Sequence, residues 1–124
     1  MQFDTTKLVR ISLGVLLAVF GLNGFFGFIP LPTYGGEAVA FLGALGATGY
    51  MFPLIKFVEV LSGLLLLTNR RVSLALAMVV PVLVNILAFH LFLSADGVMI
   101  PLLMTAATVY LIHTRRDTYT SMIA

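Results

Sequence analysis

The sequence VSLALAMVVPVLVNILAFHLFL, residues 72–93, runs for 22 positions without a charged side chain. A helix needs about 20 apolar residues to cross the hydrocarbon core of a bilayer, so this stretch predicts a transmembrane helix. Apolar stretches at about residues 8–29 and 97–114 predict two more. The chain of 124 residues is 60 % apolar and 10 % charged, with a mean hydropathy of +1.11, whereas soluble domains carry roughly a quarter charged residues. We therefore predict an integral membrane protein.

A fourth span is predicted at about residues 50–68, although this stretch contains Lys56 and Glu59. Lys and Arg collect in short cytoplasmic loops and ends, and four crossings place six basic residues on one side of the membrane. These are Lys7, Arg10, Arg70, Arg71, Arg115 and Arg116. The segment at about 37–49 is short for a span and predicts an interfacial or re-entrant helix. The predicted fold is all-α, a single transmembrane four-helix bundle over residues 1–124 with both termini cytoplasmic.

Composition excludes several classes of function. The chain has 7 Lys and Arg against 5 Asp and Glu, too few and too scattered for the clustered positive face that binds nucleic acid. Cys is absent, which excludes disulfides, thiolate nucleophiles and Cys-ligated metals within the chain. The sequence contains no nucleophile triad, Gly-rich phosphate loop or His-Glu metal motif. We predict no metal site and no covalently bound cofactor.

Small residues predict where helices approach one another closely. They recur three or four positions apart in the first span, and a second set recurs at every third position at the end of the interfacial segment. The first set is Gly14, Ala18, Gly21 and Gly24, and the second is Gly43, Gly46 and Gly49. Close backbone approach is a main source of helix association in lipid. We predict a packing face on each of these two segments.

Lys56 and Glu59 are the two charges that fall inside a predicted span. An ionisable side chain at membrane depth costs about 2.5–3.5 kcal/mol on insertion scales. At spacing i,i+3 the two share a helix face and can pair. One interpretation is an internal salt bridge that fixes helix register. The other is a polar floor for a bound headgroup, quinone or similar small ligand, and both interpretations stay open.

Further polar and aromatic residues extend this candidate pocket. Asn23 and Asn85 are predicted at a depth similar to that of Lys56, and His90 lies nearer the outer face. Asn85 and His90 are about 140° apart around their helix, so they cannot both face the same neighbour. Aromatic side chains suit a flat ring, although packing or lipid contact also explains them. The predicted pocket residues are Lys56, Glu59, Asn23, Asn85, His90, Phe52 and Tyr50.

The chain contains the pattern Gly49-Tyr50-x-x-Pro53-x-x-Lys56-x-x-Glu59-x-x-x-Gly63-x-Leu65-Leu66-Leu67-x-x-Arg70, followed by Pro81-x-x-x-Asn85-Ile86-x-x-Phe89-His90-x-x-Leu93. In this pattern it resembles the DoxX-like family of small membrane proteins. The resemblance implies a four-helix transmembrane bundle in the bacterial inner membrane. Namesake members of the family are membrane subunits associated with thiosulfate:quinone oxidation, and others are linked to quinone or catechol stress.

The resemblance therefore implies a quinone-like or lipidic ligand and a redox or stress-related pathway. Because the chain lacks Cys, we expect a membrane subunit that binds quinone or anchors a redox-enzyme partner rather than a stand-alone catalyst. The alternative is a non-catalytic assembly or chaperone-like protein that holds another membrane protein. Transport of a small solute is a third function, and it would call for a homo-oligomer. In each case we expect the lipid bilayer to surround the chain.

Overall fold

The computed structural model describes residues 4–124, of which 79 % are helical, and it places no strand among them. Within this range the chain forms six helices. They are α1 (Thr5–Phe26), α2 (Gly36–Ala47), α3 (Met51–Leu67), α4 (Val72–Phe92), α5 (Met99–Thr114) and α6 (Arg116–Ile123). The all-α prediction is confirmed.

Two of these helices, α1 and α4, are long and apolar enough to cross a membrane. Taken together, α2 and α3 are also long and apolar enough to cross a membrane, but the chain bends by 88° between them. The α5 helix is apolar and shorter, with 16 residues. Two or three helices of this kind are consistent with an integral membrane protein.

The predicted packing face on α1 is confirmed, and it lies against α3. A Cβ atom at Gly63 would lie 2.7 Å from the backbone nitrogen of Ala18 and 2.8 Å from the carbonyl oxygen of Gly14. A Cβ atom at Gly21 would lie 2.7 Å from Val60 Cγ2. Only glycine permits these distances, so α1 and α3 form the most extensive helix contact in residues 4–124.

The remaining contacts join α1, α3, α4 and α5 in a cycle, because α4 packs on α3 and α5, and α5 also packs on α1. Aliphatic side chains fill the space between these four helices. The most deeply buried are Leu13, Leu17, Leu66, Leu76, Val79 and Leu111. This apolar core fixes the four helices relative to one another and leaves α2 at its edge.

The first helix ends at Phe26, whereas the sequence predicted a span to about residue 29. Gly27 adopts a left-handed conformation with φ of 63°, and its N–H donates to the carbonyl of Asn23 at 2.8 Å. The side-chain oxygen of Asn23 then accepts the N–H of Ile29 at 2.6 Å. These bonds satisfy backbone groups that the end of a helix leaves free, so they terminate the helix early.

The predicted packing face on the interfacial segment is wrong. A Cβ atom at Gly43 or Gly49 would have no neighbour within 4 Å, and one at Gly46 would meet only the ring of Phe52, at 3.6 Å. The regular spacing of these glycines does not bring another helix close, because α2 lies at the edge of the helix cycle.

The short α6 helix was not predicted from the sequence. It is polar, and one side chain ties it to the start of α4: the hydroxyl of Tyr119 donates to the carbonyl oxygen of Ser73 at 2.6 Å. Burial raises the pKa of Tyr119, and this hydrogen bond and the Arg115 charge lower it by less. This hydrogen bond and the packing of the Tyr119 ring on the apolar core hold α6 against the other helices.

Candidate functional site

A cavity of about 310 Å³ lies between α2, α3 and α4. Its walls are mostly apolar. The α2 helix contributes Phe41, Leu42 and Leu45, α3 contributes Met51, Phe52 and Ile55, and α4 contributes Pro81, Val82, Ile86 and Phe89. The polar side chains in its lining are Lys56, Glu59 and Asn85. Small-molecule sites are typically apolar cavities of this kind with a few convergent polar groups.

The predicted pairing of Lys56 with Glu59 is confirmed. Lys56 Nζ donates to Glu59 Oε2 at 3.2 Å. The Glu59 side chain is only 6 % exposed, whereas the Lys56 side chain is 26 % exposed and reaches the cavity. The bond uses one of three ammonium donors and one of two carboxylate oxygens, so the pair keeps capacity for further hydrogen bonds.

The stem of Lys56 crosses α1 at Gly24. A Cβ atom at Gly24 would overlap the Cγ, Cδ and Cε atoms of that lysine. The missing side chain at Gly24 therefore makes the groove in which Lys56 lies on its way to Glu59. The last small residue of the α1 packing face thus positions a cavity residue as well as a helix.

Asn85 approaches the same cavity from α4. Its Nδ2 donates to the carbonyl oxygen of Pro81, one helical turn earlier, at 2.8 Å. Its Oδ1 has no hydrogen-bond partner within the described part of the chain. Asn85 thus offers the cavity an acceptor, while Lys56 offers a donor and Glu59 an acceptor.

Aromatic rings close the cavity on the side of α2. The rings of Phe41 and Phe89 have centroids 5.8 Å apart and are tilted by 34°. The ring of Tyr34 meets that of Phe89 edge-on at 5.2 Å. These distances are typical of favourable aromatic pairs, and they link α2 and the preceding loop to α4.

Three predicted pocket residues are not in the cavity lining. Asn23 donates Nδ2 to the carbonyl of Ile29 at 3.2 Å and accepts from its N–H, so its amide serves the end of α1. His90 is buried, and its Nδ1 lies 3.0 Å from the carbonyl oxygen of Ser94 at the end of α4. Tyr50 is 61 % exposed just before α3. Of the predicted pocket residues, the structure thus brings Lys56, Glu59, Asn85 and Phe52 together in the cavity lining and places the other three elsewhere.

The predicted divergence of Asn85 and His90 is confirmed, because they face different surroundings. Asn85 lines the cavity, whereas the His90 ring packs edge-on against Phe89 at 5.2 Å. Tyr34 lies beside His90, with ring centroids 6.5 Å apart. Burial raises the pKa of Tyr34, and the nearby Asp96 carboxylate raises it further. The rings of Tyr34, Phe89 and His90 thus pack together around the end of α4.

The wall that α2 provides was missing from the predicted pocket. Phe41 and Leu45 are four residues apart, which places them on one helix face. The sequence carried that signal, and it also carried the three- and four-residue spacing of Val82, Asn85 and Phe89 on α4. What it lacked was the angle between α2 and α3 that turns these faces toward each other.

No group of three or more His, Asp or Glu side chains suited to a metal ion occurs within residues 4–124. Comparisons of the whole chain with protein-family models, with curated proteins and with solved structures find no match.

Proposed function

We propose that the chain is a DoxX-like protein that crosses the bacterial inner membrane four times, through α1, α3, α4 and α5, with α2 as an interfacial or re-entrant helix. The contact cycle of these four helices supports this arrangement. So does the position of Lys7, Arg10 and Arg115, which line one polar cavity at the end where α1 begins and α5 ends. By the positive-inside rule this end is cytoplasmic.

Its function is to bind a quinone-like or other small lipidic molecule and to serve a redox or stress-related membrane pathway. The observation that carries this proposal is the cavity of about 310 Å³, in which Lys56, Glu59 and Asn85 converge among apolar and aromatic side chains. Its volume is at the lower end of the range of about 300–1,000 Å³ for ligand sites. It therefore suits a single ring or headgroup rather than a whole lipid.

The chemistry of the lining suits a quinone ring. The free N–H groups of Lys56 can donate to a quinone carbonyl oxygen, and the free oxygen of Glu59 can accept from a quinol hydroxyl. The phenyl rings of Phe41, Phe52 and Phe89 flank the space that the ring would occupy. The protein thus binds and orients the ligand for a partner enzyme.

The test measures ligand binding and thermal stability separately. The protein is purified in mild detergent, native mass spectrometry identifies what co-purifies, and the binding of ubiquinone-1 and of its reduced form, ubiquinol-1, is titrated calorimetrically. Glu59→Gln is expected to weaken ubiquinol-1 binding about tenfold or more, because it removes the carboxylate that accepts from the quinol hydroxyl, and hydrogen bonds to charged groups contribute about 1.5–3 kcal/mol. Glu37→Gln makes the same chemical change at an exposed acidic residue outside the cavity and should leave binding unchanged.

Two results would count against the proposal. Unchanged ubiquinol-1 binding in Glu59→Gln would show that the cavity is not the site. Parallel loss of binding and of thermal stability would instead identify Lys56–Glu59 as a structural salt bridge. In that case a membrane protein that co-purifies without any small ligand would favour the assembly or chaperone-like function.

A further inference from the structure

A second cavity, of about 380 Å³, lies where the start of α1, the turn after α3 and the end of α5 meet. Unlike the first cavity it is lined mainly by polar side chains. They are Asp4, Thr6, Lys7, Arg10, Asn69 and Arg115. Three of them are basic and one is acidic, so the lining has an excess of positive charge. The proposed ligand site uses none of these residues.

Arg10 is the built part of this cavity. It is 9 % exposed, and its Nη1 donates to the carbonyl oxygen of Leu66 in the last turn of α3. Carbonyls at a helix C-terminus attract cations, so this contact holds the guanidinium in place. A guanidinium has five N–H donors, and this is the single hydrogen bond that the Arg10 side chain makes within residues 4–124.

The acidic residue does not neutralise the cavity. Asp4 Oδ1 accepts the backbone N–H of Lys7 at 3.1 Å and caps α1. Within the described residues, Lys56–Glu59 is the one pair of opposite charges closer than 4.0 Å. The cations of Lys7, Arg10 and Arg115 are therefore not paired with a carboxylate in this range, although they share one cavity.

We propose that this cavity binds one phosphate group. Arg presents paired N–H groups that match phosphate oxygens, and Lys supplies a compact charge. The amide of Asn69 can complete the shell as a neutral donor. The phosphate can belong to an anionic phospholipid headgroup or to a free phosphate ion. Basic pockets at the cytoplasmic ends of transmembrane helices favour the headgroup, and that source rests on the proposed membrane arrangement.

The test compares two double variants of the full chain in detergent. Lys7→Gln/Arg115→Gln removes two charges from the cavity, whereas Arg70→Gln/Arg116→Gln removes two exposed charges that do not line it. Native mass spectrometry measures retention of added phosphatidylglycerol against phosphatidylcholine, and calorimetry measures binding of sodium phosphate. Both variants keep Arg10 and its contact with α3, and circular dichroism checks that each is folded.

Phosphatidylglycerol is expected to bind the wild-type chain in preference to phosphatidylcholine, and to bind the cavity variant at least about tenfold more weakly. The control variant should bind within about threefold of wild type, since each of its charges lies outside the cavity. Binding of sodium phosphate with the same dependence on the cavity residues supports the site and identifies free phosphate as a source. Equal effects of the two variants, or no binding of either probe, would overturn the proposal.

Discussion

The contact between α1 and α3 predicts that Gly63→Ala destabilises the protein. An added Cβ would lie 2.7 Å from the nitrogen of Ala18 and 2.8 Å from the oxygen of Gly14, and ordinary contacts begin at 3.4 Å. Both neighbours are backbone atoms, so no side chain can rotate away. The two helices must therefore separate by about 0.7 Å, and a gap of that size forfeits roughly a quarter to a half of each van der Waals contact along the face.

The expected cost combines two terms. Overpacking of a close interface costs about 1–3 kcal/mol, while replacement of glycine by alanine in a helix contributes about 1 kcal/mol in the opposite direction. We expect the free energy of unfolding of Gly63→Ala to fall by up to about 2 kcal/mol. The assay is reversible unfolding in mixed micelles, with sodium dodecyl sulfate titrated into mild detergent and helicity followed by circular dichroism.

Gly43→Ala is the matched control. It makes the same substitution within α2, where an added Cβ has no neighbour within 4 Å, so only the helix-propensity gain of up to about 1 kcal/mol remains. The difference between the two variants therefore measures the packing term alone. If Gly63→Ala proves as stable as Gly43→Ala, α1 and α3 do not approach as closely as described and the reasoning fails.

Two further predictions concern single side chains. In Gly24→Ala the three atoms nearest to the added Cβ all belong to the flexible stem of Lys56. We therefore expect calorimetry to show about tenfold weaker ubiquinone-1 binding and the free energy of unfolding to change by less than about 1 kcal/mol. Tyr119→Phe loses the hydrogen bond to Ser73 and should lower the free energy of unfolding by about 1 kcal/mol. Because burial raises the pKa of Tyr119, its stabilising contribution is complete below about pH 10 and is lost as pH rises through the higher folded value. The midpoint temperature of thermal unfolding should therefore fall less steeply with rising pH in Tyr119→Phe than in the wild type. An unchanged slope of midpoint against pH would contradict this account.

Most of the helices could be predicted from the sequence because apolar length is a local property. The helices α3, α4 and α5 begin and end within two residues of the predicted segments. The end of α1 at Phe26 could not be predicted, because it depends on hydrogen bonds between the Asn23 amide and Ile29 beyond the helix. The α6 helix could not be predicted, because it is short and polar and depends on the long-range hydrogen bond and core packing of Tyr119.

Part of the candidate site could also be predicted from the sequence, because that part depends on local helix geometry. The pairing of Lys56 with Glu59 follows from their i,i+3 spacing, which depends only on helix geometry. The cavity beside them depends on the bend of 88° between α2 and α3, and no spacing of residues within either helix encodes that angle. The sequence alone could not show that His90 lies outside the cavity lining. The surroundings of its ring are formed by Tyr34 and Phe89, which come from two separate elements.

The position of α2 has a kinetic consequence. This helix forms one wall of the apolar cavity, yet its most extensive contact is with α3, and it lies outside the cycle formed by the other apolar helices. Among the aromatic contacts of residues 4–124, only the Phe41–Phe89 ring pair links it to α4. Outward movement of α2 would therefore open the cavity sideways to the lipid without separating α1 from α3. We expect the rate at which a membrane-dissolved ligand enters and leaves to depend on the turn at residues 48–50, and the equilibrium affinity to depend on the polar groups of α3 and α4.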